Sequence, residues 1–134
     1  MMTLKQAEDL LAEHSYEKIK LNMSQNFKHD ERPWVCLCQS SDNGDEYIVM
    51  ISPSNELTEI QLGTEERLTY DQMKEVLVRE GIVKSVEDVD LDHLNPGITD
   101  DTPIHWYYQD LDQSMLYRFQ LDGTRISRAE FSRK

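Results

Sequence analysis

Apolar residues recur with helical spacing in two segments that begin in the same way. Thr3 and Thr69 are each followed three positions later by Gln, the capping-box pattern in which both side chains bond N–H groups of a first helical turn. Counted from these threonines, the apolar positions coincide: Leu4, Ala7, Leu10 and Leu11 in one segment, and Tyr70, Met73, Val76 and Leu77 in the other. The pattern predicts helices from Thr3 to about His14 and from Thr69 to about Glu80.

Extended segments follow each predicted helix in a similar order. Strands are predicted at 19–23, 34–38, 47–51 and 57–62 in the first half, and at 86–94, 104–109 and 115–121 in the second. This order predicts an α+β fold of two tandem repeats, each one helix followed by a three- to four-stranded antiparallel sheet. The repeats are placed at 1–62 and 69–134, with a linker at 63–68. The pattern leaves open whether they share one sheet or pack face to face as one globular unit.

Side-chain alternation predicts which strand faces need cover. The strands at 34–38 and 47–51 are apolar on both faces, so one face is expected to pack on the first helix and the other on the second half or on another molecule. The first strand is predicted to place Ile19, Leu21 and Met23 on one face and Lys18, Lys20 and Asn22 on the other. The segment 86–94 is predicted to separate Asp88, Asp90 and Asp92 from Val89, Leu91 and His93. The tail 127–134 is expected not to pack, except through Phe131.

An aromatic cluster marks the strand at 104–109. Neighbours in a strand face opposite ways, so at least one ring must leave the face that packs on the second helix. Aromatic anchors inside a charged rim are typical of protein interfaces. The hypothesised partner-binding residues are therefore the three rings and the acids that flank them: Trp106, Tyr107, Tyr108, Asp100, Asp101, Asp110 and Asp112. The alternative is that the rings fill the core between the repeats.

The charge pattern limits the classes of partner. The formal net charge is −12 over 134 residues, and between Lys84 and Arg118 there are eight acids and no Lys or Arg. Such a surface disfavours direct binding to nucleic acid or to an anionic membrane. It leaves open a merely solvated surface, a protein partner with a basic face, self-association, or an acidic mimic of nucleic acid. The end of the chain is basic, with Arg118, Arg125, Arg128, Arg133 and Lys134.

Motifs of catalysis and metal binding are absent from the sequence. Residues 88–92 resemble the start of an EF-hand loop, but the sixth and twelfth positions are His93 and Thr99 instead of Gly and Glu. Cys36 and Cys38 are expected to be reduced core residues, and His105 a half-exposed strand residue. No phosphate loop, nucleophile elbow or zinc-protease motif occurs. We therefore expect no enzyme, cofactor or metal, and a divalent-cation hydrolase using the 88–92 acids is a third, minor hypothesis.

The order of one helix and a curled antiparallel sheet, closing at Asp122-Gly123-Thr124, resembles PepSY-like, broadly cystatin-like modules. The resemblance covers nearly the whole chain as two copies and implies an inhibitory or regulatory role. Many such modules are exported, but the N-terminus lacks the basic and then apolar pattern of a signal peptide, so a cytoplasmic location is expected.

The sequence thus favours a non-catalytic protein-binding or regulatory protein that acts through a sheet face. The alternative function is inhibition of a DNA- or RNA-handling protein by acidic mimicry.

Overall fold

In a computed structural model, which describes residues 3–23, 33–99 and 102–130, the chain forms two helices and two antiparallel sheets. The first half contains α1 (Leu4–Glu13), β1 (Tyr16–Met23), β2 (Trp34–Ser40), β3 (Glu46–Ile51) and β4 (Leu57–Gln61). The second contains α2 (Tyr70–Arg79), a short 3-10 helix (Val86–Asp88), β5 (Leu94–Gly97), β6 (His105–Asp110), β7 (Met115–Phe119) and β8 (Arg125–Glu130). The α+β class is confirmed.

Both predicted capping boxes are present. Thr3 Oγ1 accepts a bond from the Gln6 N–H at 3.1 Å, and Gln6 Oε1 accepts one from the Thr3 N–H at 2.8 Å. The second pair repeats this geometry at 3.2 and 2.8 Å between Thr69 and Gln72. Each box satisfies donors that a first helical turn leaves without partners, which is why both helices begin where the sequence predicts.

The two sheets are separate, with strand orders β1-β2-β3-β4 (sheet A) and β5-β6-β7-β8 (sheet B). The central hairpins of the two sheets pair in the same register. Cys36 pairs with Val49 in sheet A, and the residues 70 positions further along the chain, Trp106 and Phe119, pair in sheet B. The halves therefore do not form one continuous sheet.

Sheet A is covered on both faces. On one face, Ala7 and Leu11 of α1 pack with a buried set from β2 and β3, namely Cys36, Cys38, Val49 and Ile51. On the other face, Val35, Leu37 and Ile48 join a larger core that includes α2 and one face of sheet B. The second half thus supplies the cover that the two-sided strands require.

The predicted strand at 86–94 is wrong. The segment forms the short 3-10 helix and a turn, and the strand β5 begins only at Leu94 and continues to Gly97. Two tyrosines engage the turn: Tyr70 Oη donates to the Leu91 carbonyl at 2.9 Å, and Tyr108 Oη accepts from the Asp90 N–H at 3.2 Å. β5 tolerates Pro96 because it is an edge strand, where a missing N–H need not break a ladder.

The first strand also departs from strict alternation. Its pairing with β2 shifts between Lys18 and Lys20, so Ile19 falls at an irregularity and is 43% exposed. Lys18 Nζ contacts Glu8 of α1 at 2.9 Å, whereas Lys20 Nζ donates to Asn95 Oδ1 in sheet B at 3.2 Å. The expectation that both lysines share one solvated face is wrong, because the bulge sends them to opposite faces of sheet A.

The polar tail contains an unpredicted strand. β8 pairs with β7 although all six of its residues are exposed. Backbone pairing holds this segment in place without burying its side chains. Phe131 lies outside the described residues.

We predict that Lys20→Ala lowers the free energy of unfolding by about 1–2 kcal/mol, since it removes a hydrogen bond between the halves and a cation–π contact. The Lys20 ammonium lies 5.5 Å from the centroid of the Tyr70 ring. The matched variant Lys18→Ala removes only an exposed ion pair and should cost less than about 1 kcal/mol. Urea unfolding measures both, and an equal or larger loss for Lys18→Ala would contradict the placement of the two lysines.

Candidate binding face on the second sheet

The pleat of β6 separates the aromatic cluster into core and surface. Trp106 and Tyr108 are 0% and 4% exposed and belong to the core around α2. The Trp106 ring stacks on Tyr70 with centroids 6.0 Å apart. Tyr107 points to the opposite face of sheet B, as the alternation predicted, and is half-buried. Among the three rings, Tyr107 is therefore the one available at the surface.

The remaining residues of the hypothesised site lie in different places. Asp110 ends β6 and is half-buried, while Asp112 is exposed in the following turn. Asp100 and Asp101 lie outside the described residues. Among the described residues, the buried indole N–H of Trp106 has no hydrogen-bond partner, which costs about 1–3 kcal/mol that packing of the ring must offset. Such an environment fits a ring that serves the core.

We call the side of sheet B that faces away from α2 the outer face, defined by Tyr107, Gln109, Leu116 and Arg118. Sheet A has Leu37 and Ile48 at the positions that correspond to Tyr107 and Arg118, and both are fully buried. In the described part of the chain, α1 packs on sheet A and α2 on the other side of sheet B, so neither helix covers the outer face.

His105 and Arg118 form a polar pair at one end of this face. An Arg118 N–H group donates to His105 Nε2, and His105 Nδ1 donates to the Pro103 carbonyl at 2.8 Å. His105 is 1% exposed, so the expectation of a half-exposed strand residue is wrong. Burial and the nearby guanidinium lower its pKa, although the bond to Pro103 opposes them. A neutral ring with both nitrogens engaged orients Arg118 and is poorly placed to act as a catalytic base.

Tyr107 is fixed in position by its neighbours on β5. Its ring lies over Gly97, where an added Cβ would come within 2.7 Å of Tyr107 Cε1. Its hydroxyl bonds the side chain of Asn95, which also accepts the bond from Lys20. Burial raises the pKa of Tyr107, so the phenol is neutral near pH 7. A pre-ordered aromatic ring loses little entropy when a partner binds it.

The other end of sheet B is acidic. Burial raises the pKa of Tyr108, and the neighbouring carboxylates of Asp110, Asp90 and Asp112 raise it further, while the bond from the Asp90 N–H opposes them. Asp90 also lies 3.4 Å from His93. Asp90 and Asp92 lie in the segment after the 3-10 helix, Asp110 ends β6, and Asp112 lies in the turn that follows. We call these four residues the acidic end.

Sequence reasoning missed four residues that support Tyr107: Lys20, Asn95, His105 and Arg118. The alternation of Leu116 and Arg118 against Tyr117 and Phe119 already indicated that Arg118 leaves the core face. Its position beside Tyr107 depends on the β6–β7 register, and that of Lys20 depends on a bulge. Neither follows from alternation alone.

Comparisons with known proteins and tests for other site types gave no match. No family model, no curated protein and no solved structure matches the chain. Within residues 3–23, 33–99 and 102–130, no group of three or more His, Cys, Asp or Glu residues could hold a metal ion. None of the helices in those ranges is long and apolar enough to cross a membrane.

We predict that Gly97→Ala lowers the free energy of unfolding by about 1–3 kcal/mol, because the new methyl group must displace the Tyr107 ring. Removing the ring should remove the clash, so the same substitution in a Tyr107→Ala background should cost much less. A double-mutant cycle by urea unfolding measures this coupling. Equal costs in both backgrounds would contradict the contact.

We also predict that stability falls as the pH drops below about 6.5, the ordinary pKa of His. The pKa of His105 is lowered in the folded state, so as the pH falls the unfolded chain binds a proton at a higher pH than the folded chain does. This proton uptake shifts the folding equilibrium toward the unfolded state. The loss continues until the pH reaches the lowered pKa of the folded state. Unfolding free energies at pH 7.5, 6.5 and 5.5 test this, and His105→Gln should flatten the dependence over this range. An unchanged slope in that variant would exclude His105 as its source.

Proposed function

We propose that this chain is a non-catalytic binding or regulatory protein that holds a protein partner on the outer face of sheet B. The observation that supports this most directly is the fixed, half-buried ring of Tyr107, on a face that no helix in the described part of the chain covers. Tyr and Arg, which dominate the energy of many interfaces, sit side by side here as the cross-strand pair Tyr107 and Arg118.

The relation between the halves supports a neighbour at this face. We propose that the halves are tandem repeats, since their caps, helical stripes and central hairpin registers correspond. In repeat architectures each unit buries a face against the next unit. The first unit buries Leu37 and Ile48 against the second half. The corresponding face of the second unit carries Tyr107 and Arg118, and a partner takes the place of the next unit.

The polarity of the outer face suits a partner that binds and leaves. Val35, Leu37 and Ile48 are apolar, as a permanent core requires, whereas His105, Tyr107 and Arg118 hold the corresponding positions of the second half. Non-obligate interfaces are about as polar as ordinary protein surface. This difference favours regulation or inhibition over permanent assembly. It also accords with the role implied by the PepSY-like resemblance, which we retain as part of the proposal.

The acidic end indicates the charge of the partner. Asp90, Asp92 and Asp112 are exposed at this end of sheet B, and Asp110 is half-buried. A partner with complementary basic groups would approach faster and in a defined orientation. The same acids favour a second candidate function, mimicry of nucleic acid toward a DNA- or RNA-handling protein. The two candidates differ in salt dependence, since mimicry depends mainly on charge.

We predict that a photo-crosslinking residue at position 116, on the outer face, captures a partner from lysate of the source organism. The same residue at position 65, an exposed site in the linker, is the matched control and should not capture it. Equal capture from both sites would count against the face. Retention of the partner in high salt would support the Tyr107 contact, whereas release by salt together with competition by duplex DNA would favour mimicry.

With the captured partner purified, Tyr107→Ala should weaken binding by about 2 kcal/mol, roughly 30-fold, because it removes an aromatic anchor. Calorimetric titration measures the affinity. The control Tyr108→Ala, which empties a core position, should instead lower the unfolding free energy by about 3 kcal/mol. Full affinity in a folded Tyr107→Ala variant would remove this ring from the interface.

A further inference from the structure

Strand β8 presents an open edge of sheet B. Among the described strands it pairs only with β7, and every residue from Arg125 to Glu130 is exposed. Alternate N–H and C=O groups of such a strand point away from the sheet and can pair with another extended chain. The strand contains no proline, so each of its residues retains an N–H group.

The other edge strands of the described sheets are buried in part or completely. β5 contains Pro96 and lies against β2 of sheet A. β1 has a register shift near Ile19, as β8 has near Ile126, and its Tyr16 and Lys20 are half-buried. On β4, Leu57 and Ile60 are half-buried. β8 is the one edge strand whose residues are all exposed in the described part of the chain.

The side chains of β8 give this edge a positive side. Arg125 pairs with Phe119 and Arg128 with Tyr117, so both arginines lie on the side of sheet B that faces α2. Arg79, in the last turn of α2, approaches the β7–β8 turn at Gly123. None of the three guanidinium groups has an ion pair among the described residues, in a chain whose net charge is −12.

We propose that β8 takes up an extended acidic segment of a partner protein, which adds to sheet B as a fifth strand. Backbone hydrogen bonds to β8 would provide affinity, and acids at alternate positions of the segment would meet Arg125 and Arg128. On the opposite side of the added strand, side chains would lie beside Ser127 and Ala129, which are small enough to leave room for apolar groups. The segment recognised therefore alternates acidic and apolar residues.

Charged side chains on an edge also protect against unwanted pairing. The same arginines that disfavour pairing with basic or apolar strands favour pairing with an acidic one. The proposal uses Arg125, Arg128 and the backbone of β8, and does not depend on Tyr107. Its outcome is therefore independent of the function proposed for the outer face.

The test uses the full chain and a fluorescein-labelled peptide of eight residues that alternates Glu and Val. Fluorescence anisotropy in low salt should show binding that weakens about tenfold or more in the double variant R125E/R128E. Arg67→Glu, the same charge change at an exposed residue before α2, is the matched control and should bind as the unaltered chain does. A peptide with proline in place of valine, which keeps the charge but loses alternate N–H groups, should not bind.

Amide hydrogen exchange by NMR separates strand addition from loose attraction between charges. On adding the Glu-Val peptide, alternate amides within 125–130 should exchange more slowly, while those of β4 should not change. Unprotected β8 amides, or equal affinity in R125E/R128E, would overturn the proposal. So would preferential binding of a thymidine oligonucleotide, which would assign the arginines to phosphate, or sedimentation showing that β8 already pairs with a second copy of the chain.

Discussion

The structure depends on sheet A, because both of its faces are apolar and each must pack against another element. Leu37 and Ile48 point from sheet A away from α1, and both are fully buried. Burying an aliphatic side chain of this size contributes about 1.5–3 kcal/mol, so exposing this face would cancel much of the 5–15 kcal/mol that typically stabilises a domain. In the described chain they share one core cluster with α2, the segments that flank it and the core face of sheet B. The first half therefore depends on contact with the second half for its stability.

The same contact connects stability to the candidate binding face. Lys20 reaches from sheet A to Asn95 of β5, and Asn95 bonds the Tyr107 hydroxyl. The ring of Tyr107 is thus oriented partly by the interface between the halves. The interface between the halves and the candidate binding face share these groups, so a looser interface would also free the Tyr107 ring. Binding a partner would then cost more conformational entropy.

The sequence predicted the features that depend on residues close together in the chain. The capping boxes and the helices they begin depend on residues within one turn, and the α+β order followed from them. The predicted strand at 86–94 failed because alternation is compatible with a strand but does not supply its hydrogen-bond partners. Tyr70 and Tyr108, from α2 and β6, bond the backbone of this segment instead. Those bonds join residues 21 and 18 positions apart, so no pattern within nine residues could reveal them.

Side-chain alternation along the strands does not by itself locate the candidate site. Alternation predicted that at least one of three adjacent rings must leave the core, but which rings leave depends on how β6 pairs with β7. Placing Trp106 opposite Phe119 puts Tyr107 beside Arg118, and a slip of one residue would exchange core and surface. β8 carries still less signal, because an exposed edge strand is held by one ladder and needs no apolar stripe. Surfaces free to meet a partner are those that folding constrains least, and the sequence therefore encodes their position only through the register of the strands beside them.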